Sequence, residues 1–426
     1  MEAGGFLEAL EAVFTGFVVA PIEAVLFFDL AFFHPEIELP IVVVWLILGA
    51  VFFTLRFQFV NLRAFRHAID CVRGRYTAPG ETGEISHFQA LSAALSATVG
   101  LGNIAGVAVA VGLGGPGAVF WMILAGFLGM SSKFAECTLG QLYRVRRADG
   151  HVSGGGMHYL GAGLAELGAP RLGKVLAVVF AFMCIGASTA GGNMFQSNQA
   201  YLQMTEVLPA LGGTGGAILF GASFAFAVGL VIIGGIRRIG EVAGVLVPVM
   251  CVVYVLAGLF ILVLHADQLG WAAGHIVSEA FAPEPAFGGF VGVLIQGFRR
   301  AAFSNEAGTG SAAIAHSAAA CNEPVREGLV ALLEPFIDTL IVCTMTGLVI
   351  VVTHAYQDPE AGEGIAMTSW AFSQVIPGFK YVLSISAVLF AFSTMISWSY
   401  YGEQCWVWLF GIRSIYVYKL IFLLFA

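Results

Sequence analysis

The stretch Ser96-Ala97-Thr98-Val99-Gly100-Leu101-Gly102-Asn103-Ile104-Ala105-Gly106 lies inside an apolar run over 88–115 and decides the fold. A second run, 288–320, carries Phe303-Ser304-Asn305-Glu306-Ala307-Gly308-Thr309-Gly310-Ser311 at the same depth. Each glycine costs a helix about 1 kcal/mol relative to alanine, so such clusters invite unwinding. Unwound backbone in a bilayer survives only where protein or a watery cavity satisfies it. Freed carbonyls there suit Na⁺, and the N-termini of half-helices suit a carboxylate. Gly102 and Gly106 have the spacing of close helix packing. Packing alone leaves Asn103, Asn305 and Glu306 at that depth unexplained.

The flanking sequence puts both stretches in a membrane. The chain is 58% hydrophobic and 11% charged, where soluble chains carry about 25% charged residues. Apolar runs lie near 40–60, 88–115, 116–142, 174–203, 214–235, 241–264, 288–320, 327–353 and 380–400. They are continuous and long enough for a crossing of roughly 20 residues, unlike the alternating segments of a β-barrel. A last run begins near 415 and stops at Ala426, so the chain is expected to end in mid-helix. The seven cysteines form no C-x-x-C pair and read as small apolar core residues.

Lys and Arg alternate between successive loops. Arg56, Arg63, Arg66, Arg73 and Arg75 fill 56–86, and Arg144, Arg146, Arg147, Arg171 and Lys174 fill 143–174. Arg237 and Arg238, Arg326, and Arg413 mark the later basic loops, while 113–116, 204–213 and 265–287 have none and 354–380 only Lys380. The positive-inside rule then puts the N-terminus outside and runs 88–115 from cytoplasm to exterior, in a multi-pass protein of the cell (inner) membrane. The first 30 residues are apolar but open with Glu2, Glu8 and Glu11, unlike a secretory signal, and predict an extra helix on or in the bilayer.

Counted from 88–115, the second interrupted run is the sixth, and five spans bring it in inverted. That is the pattern of a 5+5 inverted repeat with a binding site at the bilayer midplane. The expected organisation is 1–87, an N-terminal segment with one extra transmembrane helix and a basic cytoplasmic loop; 88–264, a first five-helix repeat; and 288–426, a second repeat whose C-terminal part is missing.

The sequence resembles the alanine or glycine:cation symporter family, also called the sodium:alanine symporters, from about residue 40 to 420. The resemblance rests on SATVGLGNIAGVAVAVGLGGPGAVFWM (96–122), KFAECTLGQLYR (133–144), GGNMFQSNQ (191–199), RRAAFSNEAGTGSA (299–312), EPFIDTLIVCTMTG (334–347) and STMISWSYYGEQC (393–405). The run VGLGN also looks like the first broken helix of the neurotransmitter:sodium symporters. The resemblance implies an all-α membrane protein of the leucine-transporter fold, with discontinuous first and sixth core helices. It implies cation-coupled symport of a small neutral amino acid, alanine or glycine, with Na⁺ or H⁺ as coupling ion and no other cofactor.

By similarity the substrate sits between the two breaks. Gly100, Gly102 and Asn103 would meet its carboxylate, Gln196 its amine, and Phe303 and Trp398 would wall its side chain, with Ser304 and Asn305 as further contacts. Ser96, Thr98, Val99 and Asn103 in the first break, with Ser393 and Thr394 on the eighth span, are the sodium candidates. Ser393 and Thr394 have a plainer reading as hydroxyls bonded back to their own helix, and Gln196 one as polar glue between helices. Asp338-Thr339 lies on a span that lends a cation ligand in some relatives. Glu306 is expected to pair with Arg299 or Arg300, with a proton-coupling role as the alternative, and Lys133 with Glu136 three residues on.

No enzymatic constellation stands up. GLGNIAG follows no strand, so it is not a dinucleotide loop, and no GK[ST] motif binds ATP. Nothing suggests nucleic acid. His151 and His158, in the glycine-rich segment 151–163, have no further ligands at hand for a metal, and the segment has no functional reading. A channel would want symmetric pore-lining segments, and a non-transporting amino-acid receptor or subunit is the other alternative to a symporter.

Overall fold

The computed structural model describes residues 15–31, 39–147, 149–282 and 289–426. Glu2, Glu8 and Glu11, and residue 288 at the expected start of the second repeat, lie outside them. Ile41–Arg56 (α1) precedes the first broken run, which is His87–Thr98 (α2) followed by Gly102–Gly114 (α3) at a bend of 54°. Gly117–Leu142 (α4) leads to a small hairpin, Val145–Arg146 (β1) paired antiparallel with Val152–Ser153 (β2), and to Gly156–Glu166 (α5). Pro170–Val207 (α6), Gly213–Ile232 (α7) and Gly235–Leu264 (α8) complete the first set. Leu269–Phe281 (α9) reaches the second broken run, Gly289–Asn305 (α10) and Ala312–His316 (α11). Pro324–Val352 (α12), Ile365–Val375 (α13), Phe379–Phe410 (α14) and Ile415–Leu424 (α15) follow.

Each expected apolar run has its helix. Two boundaries differ. Arg237 and Arg238 stand in the first turn of α8, not in a loop, because the helix starts at Gly235. The basic stretch 56–86 is not all loop either, since Phe65–Val72 is a helix that buries Ala68 and Cys71.

The apolar windows of α4, α12 and α14 are 72%, 67% and 61% buried, those of α6, α7 and α8 only 28%, 28% and 33%. The first three form the interior. α7 and α8 turn Ile218, Phe226, Leu256 and Val263 outward, as lipid permits and water would not.

Both breaks satisfy their freed backbone with side chains, as their apolar surroundings require. In the first, Val99 leaves the helix extended (ψ 95), the Gly100 N–H donates to Asn103 Oδ1 at 2.8 Å, and a π-turn, Gly102–Gly106, restarts the helix. In the second, Glu306 takes a left-handed conformation (φ 53) with Gly308 and Gly310 at φ 92 and 84. Glycine adopts this region freely and glutamate rarely. The Ala307 N–H donates to Asn305 Oδ1 (2.9 Å), and the Gly310 N–H to Glu136 Oε2 of α4 (2.7 Å).

Below the breaks lies a chain of buried, mutually bonded titratable side chains. Lys133 does face Glu136 (3.8 Å), but Glu334 of α12 is nearer, at 3.0 Å. Glu334 lies 3.9 Å from His316, and His316 and His87 share the carboxylate of Glu327, the former at 2.6 Å. The start of α2, the end of α11 and the first half of α12 are thus tied together and to α4. The segment 151–163 seals the same end. A side chain at Gly154 would stand 2.4 Å from Ser317 Cβ, and Gly155 has φ 112 with Ile314 2.5 Å from its missing Cβ. Glycine is needed there because the backbone runs against α11. Arg144 donates to the carbonyls of Ser317 (2.8 Å) and Ala319 (2.7 Å), holding the chain as it leaves that helix.

Lys133→Met leaves Glu334 and Glu136 without their buried cation. Removing one partner of such a pair destabilises by about 3–5 kcal/mol. A clear fall in the melting temperature of the detergent-solubilised protein is expected, largely reversed in Lys133→Met/Glu334→Leu. A single variant that melts with the parent would sink this assignment.

Candidate functional site

Where the two breaks meet α6 and α14, they enclose a cavity of about 330 Å³. That is near the lower end of small-molecule sites, about 300–1,000 Å³. Thr98, Gly100, Leu101 and Gly102 form one wall, Phe303, Glu306, Thr309 and Ser311 the opposite one. Gly191, Gly192 and Gln196 of α6 and Thr394 and Trp398 of α14 close it.

Five of the expected substrate residues line this space: Gly100, Gly102, Gln196, Phe303 and Trp398. Gln196 donates from Nε2 to the Gly191 carbonyl (3.0 Å), and its buried Oε1 has no hydrogen-bond partner among the described residues. An unpaired buried amide oxygen is costly unless something else completes it. Trp398 lies flush on α6, where a Cβ on Gly192 would come within 2.4 Å of its ring. The α3 helix opens at the wall beside Gly102, so its positive N-terminal end faces the cavity.

Asn103, Ser304 and Asn305 correct the expectation. All three are buried behind the wall. Asn103 donates to Asp338 Oδ1 at 2.5 Å, Ser304 to Asp338 Oδ2 at 2.9 Å, and Asn305 to Thr339 Oγ1 at 2.9 Å. Thr339 donates in turn to Asp338 Oδ2 at 2.7 Å. One carboxylate therefore collects donors from both broken helices. The available signal was the acid itself, since an ionisable group in mid-membrane has a partner or a function by default.

The sodium candidates converge at the other edge of the first break. Ser96 donates to the Ser393 carbonyl (2.5 Å), and Ser393 to the carbonyls of Phe390 (2.9 Å) and Ser96 (3.4 Å). Thr394 Oγ1 is buried without a partner among the described residues, and a Cβ on Gly100 would stand 2.8 Å from it. Thr98 bonds back to Ala94 (3.2 Å) and lines the cavity, while Val99 is fully buried at the extended corner. Asn103 faces Asp338 instead, away from this group.

The expected partners of Glu306 are not its neighbours. Glu306 accepts the Ser311 hydroxyl and lines the cavity. Arg299 lies over the Phe27 ring, 5.2 Å from its centre, and Arg300 faces a second space. Helical geometry explains the miss. Glu306 lies beyond the end of α10, and its left-handed turn carries it away from both arginines. The sequence reading also missed Glu334, His316, Glu327 and His87.

Comparison with known proteins gives the chain's relatives. The model of the sodium:alanine symporter family matches residues 30–426. The sodium/alanine symporter AgcS of Methanococcus maripaludis is 40% identical over 392 residues, covering 91% of this chain and 84% of that protein. The amino-acid carrier protein AlsT of Bacillus subtilis is 34% identical over 383 residues, covering 88% and 78%. Among solved structures, MhsT in complex with L-phenylalanine superimposes with a TM-score of 0.56 over 81% of this chain and 79% of that one, at 19% identity. This likeness concerns the fold alone, an all-α arrangement of the leucine-transporter type.

Asp338→Ala strands the donors of Asn103, Ser304 and Thr339 in a buried site. Each unsatisfied group costs about 1–3 kcal/mol. The variant should lose at least about 2 kcal/mol in thermal unfolding in detergent, and Asp338→Asn, which keeps one acceptor oxygen, should lose less. Equal losses would refute the carboxylate's role as a shared acceptor.

Proposed function

The chain belongs to the sodium:alanine symporter family, and from that membership we propose a specific cargo and a specific site for its transport. As a member it is a multi-pass membrane protein, a cation-coupled amino-acid symporter rather than an enzyme. The cargo we propose is a small neutral amino acid, alanine or glycine, carried with Na⁺ by alternating access. The observation that carries this reading is the 330 Å³ cavity bounded by both breaks.

The carboxylate would lie on the Gly100–Gly102 backbone at the start of α3, and the ammonium on Gln196 Oε1. Phe303 and Trp398 would limit the side chain to a methyl group or a hydrogen. Na⁺ would sit among Ser96, Thr98, Val99, Ser393 and Thr394, where hydroxyls and unwound carbonyls supply several oxygens without a full charge. Thr394 Oγ1, buried and unpartnered, is the ligand this assignment most needs. Asn103, Ser304 and Asn305 would act from behind, fixing the breaks through Asp338 and Thr339. In this reading 88–264 and 288–426 are the two repeats. The Lys- and Arg-poor loops face outward from the cell (inner) membrane, with the N-terminus outside. The relatives are transporters, which leaves little room for a non-transporting receptor.

Proteoliposomes containing the chain should accumulate labelled alanine above equilibrium when an inward Na⁺ gradient is imposed. Accumulation driven by a proton gradient alone would change the ion and point to Glu306. Alanine binding without accumulation under either gradient would refute transport. Thr394→Val should raise the Na⁺ concentration for half-maximal alanine binding about tenfold, the loss of about 1.4 kcal/mol. Gln196→Leu should weaken alanine binding while leaving that sodium dependence in place.

A further inference from the structure

The cavity between the breaks has a thiol in its wall. Cys184 of α6 lines it, on the helix face that also carries Phe180, Ala187 and Gly191. All seven cysteines lie within the described residues and are free, and of these Cys184 alone borders this space.

Behind it stands a second thiol, placed there by the way α6 and α14 pack. The two helices run antiparallel in close register. A Cβ on Gly192 would come within 2.4 Å of the Trp398 side chain, and a Cβ on Gly402 within 2.2 Å of Ser188 Oγ. Small residues at such positions let helix backbones approach. One turn further, four residues back along α6 and three forward along α14, the next pair is Cys184 and Cys405. Their thiols share a hydrogen bond. Cys405 is fully buried, while Cys184 keeps 6% of its surface exposed. Close packing accounts for small side chains at 184 and 405. It does not account for two sulfurs in contact, because alanine or serine would fill the same space.

We infer that Cys184 and Cys405 form a dithiol site for trivalent arsenicals, reached through the cavity. Sulfur is the soft ligand that thiophilic centres select. Two thiols on facing helices hold one arsenic where a single thiol would exchange it. With an arylarsine oxide the reaction needs no oxidant. The arsenic–oxygen bond breaks, two arsenic–sulfur bonds form, and the two thiol protons leave with the oxygen as water. Cys184 reacts first because it borders the cavity, and Cys405 behind it closes the ring. The aryl group then remains on the cavity side and excludes alanine. The dithiol rests on the helix register; the block of transport rests also on the reading of that cavity as the alanine site.

Phenylarsine oxide applied to the protein in proteoliposomes, followed by a wash with the monothiol 2-mercaptoethanol, tests the site. The parent should retain one phenylarsenic group per chain by intact-mass measurement. Its alanine uptake should fall at least about tenfold and return after treatment with the dithiol dithiothreitol. Cys184→Ser and Cys405→Ser should each lose the retained group, and Cys405→Ser should keep its uptake after the same treatment. If one variant fails to fold, the other carries the test. A group retained in either variant, or none retained in the parent, overturns the dithiol site. Alanine with Na⁺ should slow loading of the parent. Loading at an unchanged rate, with the group still lost in both variants, would uphold the dithiol and overturn the placing of alanine in this cavity.

Discussion

The carboxylate of Asp338 is the interaction on which the rest depends. It accepts from Asn103 at the first break and Ser304 at the second, and Thr339 beside it carries Asn305. Two helices interrupted at mid-depth would each expose backbone that lipid cannot satisfy. Each break repairs itself with an asparagine whose oxygen takes an orphaned N–H, from Gly100 in one and Ala307 in the other. The asparagines then turn their amide nitrogens to adjacent residues of α12, Asn103 to Asp338 and Asn305 to Thr339. The breaks are therefore held relative to each other as well as internally, and that mutual distance defines the cavity between them.

This arrangement explains which parts of the site were legible in the sequence. Glycine clusters in apolar runs announce unwinding through backbone energetics alone, so the breaks and the inverted repeat could be read residue by residue. Gly100, Gly102, Gln196, Phe303 and Trp398 stand on the cavity wall. The polar residues of the breaks were harder. An asparagine in an unwound segment suits equally a ligand's carboxylate and the segment's own freed N–H. Only the position of Asp338, 235 residues further along the chain from Asn103, decides between them. Pairings across such separations leave no periodic trace. The same holds for Lys133, whose nearer partner is Glu334 rather than the local Glu136.

The glycine-rich segment 151–163 had no meaning as a motif. Its glycines are legible only as packing, because the backbone at Gly154 and Gly155 lies against Ser317 and Ile314. Of the histidines there, one bonds within the segment and the other reaches back 67 residues along the chain. His151 meets Glu84 at 2.6 Å and His158 meets Ser153 at 2.9 Å.

The two ends of the molecule differ in kind. On one side of the breaks the cavity leads past a single aromatic ring into a 650 Å³ space. On the other side, Lys133, Glu334, His316, Glu327 and His87 are buried within a few ångströms of one another, with the 151–163 segment packed over them. Buried ion pairs contribute little net stability against apolar replacements, yet separating their partners is strongly unfavourable. Through this network α2 and α11 are both bound to α12. Either the carboxylates keep their partners and move with them, or water must enter as they part. The two ends are therefore unequal: on one side a network of buried, mutually bonded side chains joins three helices, and on the other the ring of Phe303 stands between two spaces.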